Sequence, residues 1–545
     1  MSSPPAGRPD HTARAIRSRD HRDRLQLEFV RTARKYWSAF AAADTTGQKL
    51  TYGRMLIGAL ALGRVLARRT PGENAVGTLL PASVWSAVTN IALYMAGRMP
   101  VNLNFTIGAD ALTAAIEQAG IKTILTSRKF LEKAGLEERP GMVFLEELRL
   151  ELTSADKAAA IVLARLTPMP LIRRWFSGPA STTSPLATII FSSGSTGVPK
   201  GVMLTHNNIL SNVDSLAQLF HMGPSDVFLG VLPLFHSFGF TGTFWFPLLM
   251  GAGVAYHPNP MDAKTVGELV ETYKATMLIS TPTFCNAYLR RCTKEQFASL
   301  KYAIVGAEKL RRQVADEFRE KYGIDLLEGY GMTEMAPVVA VNHPDFTDER
   351  GRHIGNRPGS VGHPIPGISA KVVDQETGED LGIDCAGLLL VQGPSMMVGY
   401  LDQPQRTAEA MRNGWYATGD IARIDAEGFI FITDRLSRFS KIGGEMVPHV
   451  RVEDAINAIL GDSVSIVTGV PDAAKGERLV AFYARPEIAP EQLWDALCAS
   501  DLPRLWLPRR DNLVPLEAIP TLGTGKADLR RIKQMAIEHS GPEVA

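Results

Sequence analysis

Four short stretches of this 545-residue chain gather residue types that handle phosphate, carboxylate and ribose. The first, "FSSGSTGVPKG" (Phe191–Gly201), leaves the apolar run "LATIIF" and becomes almost wholly Ser, Gly, Thr, Pro and Lys. Gly194 and Gly197 let backbone N–H groups turn inward. The hydroxyls of Ser192, Ser193, Ser195 and Thr196 add donors, and Lys200 adds a positive charge. Together these make an anion cradle. It is not a Walker A loop, because Gly201, not Ser or Thr, follows the lysine. Ser/Gly runs also occur in linkers, so the stretch alone does not decide.

The second stretch is "GYGMTEMAP" (Gly329–Pro337). Tyr330, between glycines, can offer its ring face to a flat base. Thr333 offers a hydroxyl to a phosphate oxygen, and Glu334 suits a hard cation such as Mg²⁺. An ordinary loop with one exposed acid has the same composition. The third runs from Gly414 to Val447. In it Asp420 and Arg435 have the chemistry to clamp two ribose hydroxyls by charge-assisted hydrogen bonds, although either charge alone suits a solvated surface. The fourth, "PTLGTGKADLRRI", sets Lys526 after Gly-Thr-Gly on an exposed loop, where a lone lysine ordinarily serves solubility.

The elements that must position these residues follow an α/β pattern. "AVGTLLP", "KTILTS", "ATMLIST" and "KYAIVGA" read as short strands. "SVWSAVTNIALYMAGR" reads as a helix, and "KLRRQVADEFREKYG" as a helix closed by Gly323. Such alternation predicts layers around parallel strands. After "DRLSRFSKIGGEM" the character changes to short strands ("VSIVTGV", "RLVAFYARP") and two helical runs. A boundary is expected at about Arg435–Arg438. "DAEG" reads as a hairpin turn. The expected organisation is a basic disordered tail over 1–25, a large multi-layered domain over 26–434 and a small mobile α+β domain over 435–545.

Composition narrows the function classes. Net charge is +1, so no global field points to nucleic acid. The four cysteines show neither metal spacing nor a paired framework, which predicts a reducing, cytoplasmic setting. No run approaches the ~20 apolar residues of a membrane span. Residues 154–178 ("SADKAAAIVLARLTPMPLIRRWFSG") mix aliphatic residues with Lys157, Arg165, Arg173, Arg174, Trp175 and Phe176. They read either as an interfacial element at the inner membrane face or as a helix packed on the body, broken at Pro168 and Pro170.

The four stretches, in this order, resemble the acyl-adenylate-forming superfamily of acyl-CoA and acyl-ACP synthetases, luciferases and peptide-synthetase adenylation domains. Phe191–Gly201 match its [YF]-[ST]-[ST]-G-[ST]-T-G-x-P-K-G pattern throughout. The resemblance implies that a carboxylic acid reacts with ATP to give acyl-AMP and pyrophosphate, and that a thiol then displaces AMP. On that analogy Ser192–Lys200 hold the pyrophosphate part of ATP. Glu308 and Tyr330 lie beside adenine, and Asp420 and Arg435 bind ribose. Glu334 and Thr196 hold Mg²⁺, and Lys526 bridges the carboxylate and the α-phosphate. The small domain rotates between half-reactions about Ser437, and Gly443 and Gly444 then line the thiol tunnel.

"LPLFHSFGFTGTFWFPLLMGAG" (Leu232–Gly253) corresponds to the acid-binding region. His236 resembles the family's gate near the carboxylate, or is a core histidine satisfied by a carbonyl. No acid stands by to meet an amino group, which argues against amino-acid substrates. Gly239, Gly242 and Gly251 are expected to leave space for a medium- to long-chain fatty acid. "LPLFHSFG", "VGAEKL", "GPSMMVGYL" and "KIGGEMV" resemble the ligase half of the bacterial acyl-ACP synthetase/2-acylglycerophosphoethanolamine acyltransferases. His221 and Asp226 have the H-x-x-x-x-D spacing of that family's acyltransferase, here read as coincidence. The expected acceptor is acyl carrier protein. CoA is the alternative, and a non-catalytic fatty acid or nucleotide binder is a remote one. Arg435, Arg438 and Lys441 are expected to form a basic patch that serves either acceptor.

Overall fold

A computed structural model describes residues 24–176, 185–192, 199–348, 351–435, 438–442, 445–462, 464–472, 475–521 and 527–540; at 346–348, 351, 352, 434, 435, 441 and 446 the description extends to the backbone only. The chain is mixed α/β, with a large N-terminal part and a smaller C-terminal part. By internal packing it divides into two compact units. One holds residues up to Ala370 with Leu390–Ala417 and Asp425–Phe431. The other holds Lys371–Leu389, Thr418–Ile424 and the chain from Ile432 onward.

The larger unit is built on a nine-stranded sheet. Its central strands, Leu326–Gly331, Tyr302–Val305, Met277–Ser280, Val227–Gly230, Gly253–Tyr256 and Phe40–Asp44, run parallel. Antiparallel strands Val338–Val341 and Lys49–Thr51 flank them. The central strands read as continuous apolar runs because helices cover both faces, as parallel sheets require. A four-stranded parallel sheet (Met99–Asn102, Ala75–Thr78, Ile124–Thr126, Met142–Phe144) forms a second layer. Every strand named from its apolar run is present. The helix Arg312–Tyr322 ends at Gly323 with φ 73°, the left-handed cap that glycine accepts without penalty.

The first described helix, Leu25–Lys35, begins inside the stretch read as tail. Leu25 is fully buried and its N–H donates to His206 Nδ1 at 3.3 Å. The 154–178 stretch folds as two helices, Ser154–Arg165 and Met169–Phe176, interrupted at the Pro168 position. No helix among the described residues is long and apolar enough to cross a membrane.

The smaller unit carries a five-stranded sheet. Glu445–Pro448, Phe439–Ile442, Gly476–Tyr483 and Ser465–Asp472 pair antiparallel, and Leu513–Pro515 lies parallel to Gly476–Tyr483. Helices His449–Leu460 and Pro490–Cys498 bury Val452, Ile456, Leu493 and Leu497 in one core, and Leu529–Ser540 buries Ile532 and Ala536 in another.

Candidate active site

The Ser/Gly-rich stretch is flanked by two paired strands. Strands Leu186–Ser192 and Lys200–Thr205 pair antiparallel, with Ser192 opposite Lys200. Strand pairing therefore fixes both ends of the loop, and Ser192 and Lys200 are delivered side by side. Ser193, Gly194, Ser195, Thr196 and Gly197 lie outside the described residues, as do Ser437, Gly443, Gly444 and Lys526. Arg435 closes the strand Ile430–Arg435, described by its backbone alone.

The third strand of this sheet, Gly399–Tyr400, pairs with Lys200–Thr205. It brings Tyr400 against Lys200, whose Nζ lies 5.5 Å from the ring centroid. Tyr400 Oη donates to Glu334 Oε1 at 2.8 Å and lies 3.2 Å from Tyr416 Oη. Glu334 is only 9% exposed. Burial, followed by the Glu334 charge, pushes both phenols well above their ordinary range, so they remain donors. Burial and Arg406 lower the Lys200 pKa, and Glu334 opposes them. Tyr400 and Tyr416 escaped the sequence reading. A tyrosine in "VGYL" or "GWYATGD" gives no local sign that it will meet an acid some 66 or more positions away.

A short turn, Thr333–Met335, presents Glu334. Asn212 Nδ2 holds the turn by donating to the carbonyls of Met335 (3.2 Å) and Val338 (2.8 Å). Asn208, one turn earlier on helix His206–Leu219, donates to the carbonyls of Pro394 and Met396 at 2.8 Å each. These two buried amides were also missed. Their spacing of four on one helix is the signal that would have found them, since buried amides must be hydrogen-bonded.

Thr333 faces the Leu232–Gly253 stretch, with its Oγ1 3.1 Å from Ser237 Oγ. His236, half-buried, precedes a π-helix, Phe238–Trp245, and its Nδ1 accepts from the Phe238 N–H at 3.4 Å. π-helical turns are uncommon and frequently mark functional sites. Two of the three neighbouring glycines are filled by packing. A Cβ at Gly239 would meet the Pro233 carbonyl oxygen at 2.2 Å, and one at Gly251 (φ +84°) would meet the Tyr36 ring at 2.5 Å. At Gly242 it would touch Ile279 at 3.4 Å. Close packing, not space for a chain, is what the first two positions require.

Glu308 follows Ala307, which sits at φ 71°, and accepts from Thr283 Oγ1 at 2.6 Å and from the Thr283 N–H at 3.3 Å. Tyr330 lies half-buried on the adjacent strand. Beneath it, buried Glu328 accepts the Leu310 N–H at 3.0 Å. Burial pushes its carboxyl up to about 7, against that bond and Lys309. Asp420, 3% exposed, lies on strand Trp415–Ile424, and its N–H donates to Thr418 Oγ1.

Two sequence expectations are settled by packing. Asp226 is buried and takes hydrogen bonds from Lys301, Thr276 and the Gly223 N–H, so its spacing from His221 reflects a loop anchor. Arg438 does not belong to a free basic patch. Its guanidinium pairs with buried Glu453 and is 17% exposed.

No group of three or more metal-ligating side chains occurs among the described residues. Mg²⁺ takes one or two carboxylates plus substrate phosphates and keeps its waters. Glu334 provides a hard-oxygen donor of this kind.

Known proteins similar to this chain are numerous. A family model described as AMP-binding enzyme matches residues 29–401. The long-chain-fatty-acid–CoA ligase of Bacillus subtilis is 31% identical over 361 residues, 65% of this chain and 62% of that protein's length. The long-chain-fatty-acid–CoA ligase of Salmonella typhimurium is 29% identical over 491 residues, 85% of each. The ATP-bound MatB of Rhodopseudomonas palustris superposes with a TM-score of 0.78 at 26% identity, covering 94% of this chain and 99% of that one. The family match spans most of the chain and includes the paired strands, the Glu334 turn and the Tyr400 strand: this protein belongs to the AMP-binding enzyme family.

Proposed function

We propose that this chain is an ATP-dependent, AMP-forming ligase that activates a medium- to long-chain fatty acid and passes the acyl group to the thiol of CoA. The observation that carries the reading is the buried Glu334 carboxylate, held by Tyr400 beside the Lys200 end of the Ser/Gly loop. In the first half-reaction a carboxylate oxygen attacks the α-phosphorus and pyrophosphate leaves. In the second the thiolate attacks the acyl carbon and AMP leaves. Lys200 and the loop bind the departing phosphates, and Glu334 with Thr196 would hold Mg²⁺. Its charge would offset that of the phosphates. Charge stabilisation of this kind is usually the largest contribution in phosphoryl transfer. Glu308 and Tyr330 would bind adenine, Asp420 and Arg435 ribose, and Lys526 would bridge the reacting groups. Gly443 and Gly444 would line the thiol path after rotation at Ser437, within a mobile domain that begins near Arg435.

The apolar surroundings of His236 and the fatty-acid specificity named for both curated relatives support the choice of acid. CoA is preferred over acyl carrier protein because the curated relatives are CoA ligases. The test is fatty-acid-stimulated ATP–pyrophosphate exchange, followed by thioester assays with each acceptor. Lys526→Ala is expected to lose acyl-AMP formation a hundredfold or more, about 3 kcal/mol, while still making thioester from supplied acyl-AMP. A preference for carrier protein would reassign the acceptor. Absence of exchange with every fatty acid would overturn the reading.

A further inference from the structure

Helices Ser154–Arg165 and Met169–Phe176 make up a helix pair with an unusual outer face. Its inner side is firmly tied. Asp156 takes hydrogen bonds from Arg64 and Arg68 of helix Tyr52–Arg69 at 2.9–3.0 Å. Arg34 caps the end of the first helix by donating to the carbonyls of Leu163, Ala164 and Thr167 at 2.7 Å each. Gln26 donates to the Phe176 carbonyl at 3.0 Å. The outer side leaves Ile161, Val162, Leu166, Leu171 and Trp175 exposed, Leu166 at 72% and Trp175 at 55%. A cleft of about 530 Å³, lined by Leu60, Met95, Val162, Trp175 and Phe176 among others, opens on the same helices. Contiguous exposed apolar surface marks an interaction site.

Charge selects the partner. Residues 157–176 contain Lys157, Arg165, Arg173 and Arg174 and no acidic residue. Lys157, Arg165 and Arg174 are exposed on the apolar face or at its edge. A second copy meeting this face about a two-fold axis would set its cations against themselves. An anionic bilayer surface complements both features, taking the apolar side chains at the headgroup boundary and the cations at the phosphates. We infer that this helix pair is a membrane-docking face for anionic lipid, seating Leu166, Leu171 and Trp175 in the interface.

The full chain should co-sediment with vesicles of phosphatidylcholine containing 30 mol% phosphatidylglycerol, weakly or not at all with pure phosphatidylcholine, and less as salt rises. At about fivefold per cation lost, Lys157→Glu/Arg174→Glu should weaken partitioning by 25-fold or more. Leu166→Ser/Trp175→Ser should abolish it. Both variants should retain the parent's melting temperature and its activity in detergent-free solution, since none of these residues belongs to the nucleotide or acid site. Brominated lipid should quench tryptophan emission in the parent and fail to do so in Trp175→Phe. Binding that ignores lipid charge and both variant pairs would overturn the inference. So would a vesicle-independent dimer that the apolar pair dissociates.

Discussion

Glu334 and Asp156 are both buried carboxylates in the larger unit, 9% and 2% exposed, yet their surroundings assign them opposite roles. Asp156 is saturated. Arg64 and Arg68 donate to both its oxygens, and the Thr153 hydroxyl adds a third partner at 2.8 Å. The Arg68 hydrogen bond, more than any other cause, holds its carboxyl well below the usual carboxylate range. Its charge is spent inside the protein, clamping a helix. Glu334 instead meets a neutral phenol, and two cations, Lys200 and Arg406, lie over the ring of that tyrosine. Its negative charge remains available for a cation. Burial alone therefore says little about function; the kind of partner decides.

The sharpest test of that contrast is removal of charge at each site without change of shape. Glu334→Gln should lower kcat/KM for acyl-AMP formation by 100- to 1000-fold, about 3–4 kcal/mol of transition-state stabilisation. It should leave the melting temperature within a degree or so. Glu334→Gln protein that loses stability but keeps exchange activity would reverse the assignment.

A third buried acid, Glu328, tests the intermediate case. It has neither arginine nor phenol, and burial raises its carboxyl to about 7. A raised acid favours folding below its unfolded pKa of about 4.5, and that contribution disappears as pH rises through about 7. The parent should therefore lose about 2–3 kcal/mol of stability between pH 4.5 and 7.5 that Glu328→Gln does not lose. Denaturant melts of both proteins at several pH values measure the difference. Parallel pH profiles would show that Glu328 is ionised when folded.

Asp156→Asn should reverse the pattern of Glu334→Gln. Losing hydrogen bonds to charged groups costs about 1–3 kcal/mol, moderated by the half-exposed Arg64 and Arg68. The expected outcome is a lower melting temperature and faster amide exchange in helix Ser154–Arg165, with unchanged activity per folded molecule. An activity loss without destabilisation would tie this helix to catalysis.

Local patterns were legible in the sequence; long-range partnerships were not. Apolar runs such as "ATMLIST" and "KYAIVGA" became parallel strands because strand burial on both faces needs nothing else, and Gly323 ended its helix as a left-handed cap must. Lys200, Thr333 and Glu334 could be named because their motifs are contiguous. Tyr400, Tyr416, Asn208 and Asn212 could not, since each acts on a residue far along the chain. Arg438 was misread for the same reason: its partner Glu453 lies two strands and a helix turn away, so a cation that looked free is neutralised. Gly239 looked like space for a substrate because a missing side chain has that meaning only when nothing else fills it. Here the Pro233 carbonyl does.

The smallest predicted effect concerns how Glu334 is held. Tyr400 Oη donates at 2.8 Å from a ring that also faces Lys200, and Tyr416 Oη stands 3.2 Å behind it. Tyr400→Phe keeps the ring and its packing but deletes the hydrogen bond to the carboxylate. A bond to a charged acceptor is worth about 1.5–2 kcal/mol, so kcat/KM for MgATP should fall roughly 10- to 30-fold. Half-saturation should move to higher Mg²⁺ concentration, while KM for the fatty acid stays put. Tyr416→Phe should cost less, because Tyr400 still reaches Glu334 when the second phenol is gone. If Tyr416→Phe proved the more damaging, the second phenol would be the one that orients Glu334. If Tyr400→Phe raised KM for the acid instead, this tyrosine would serve acid binding, and the contrast between a clamped and an available carboxylate would need another origin.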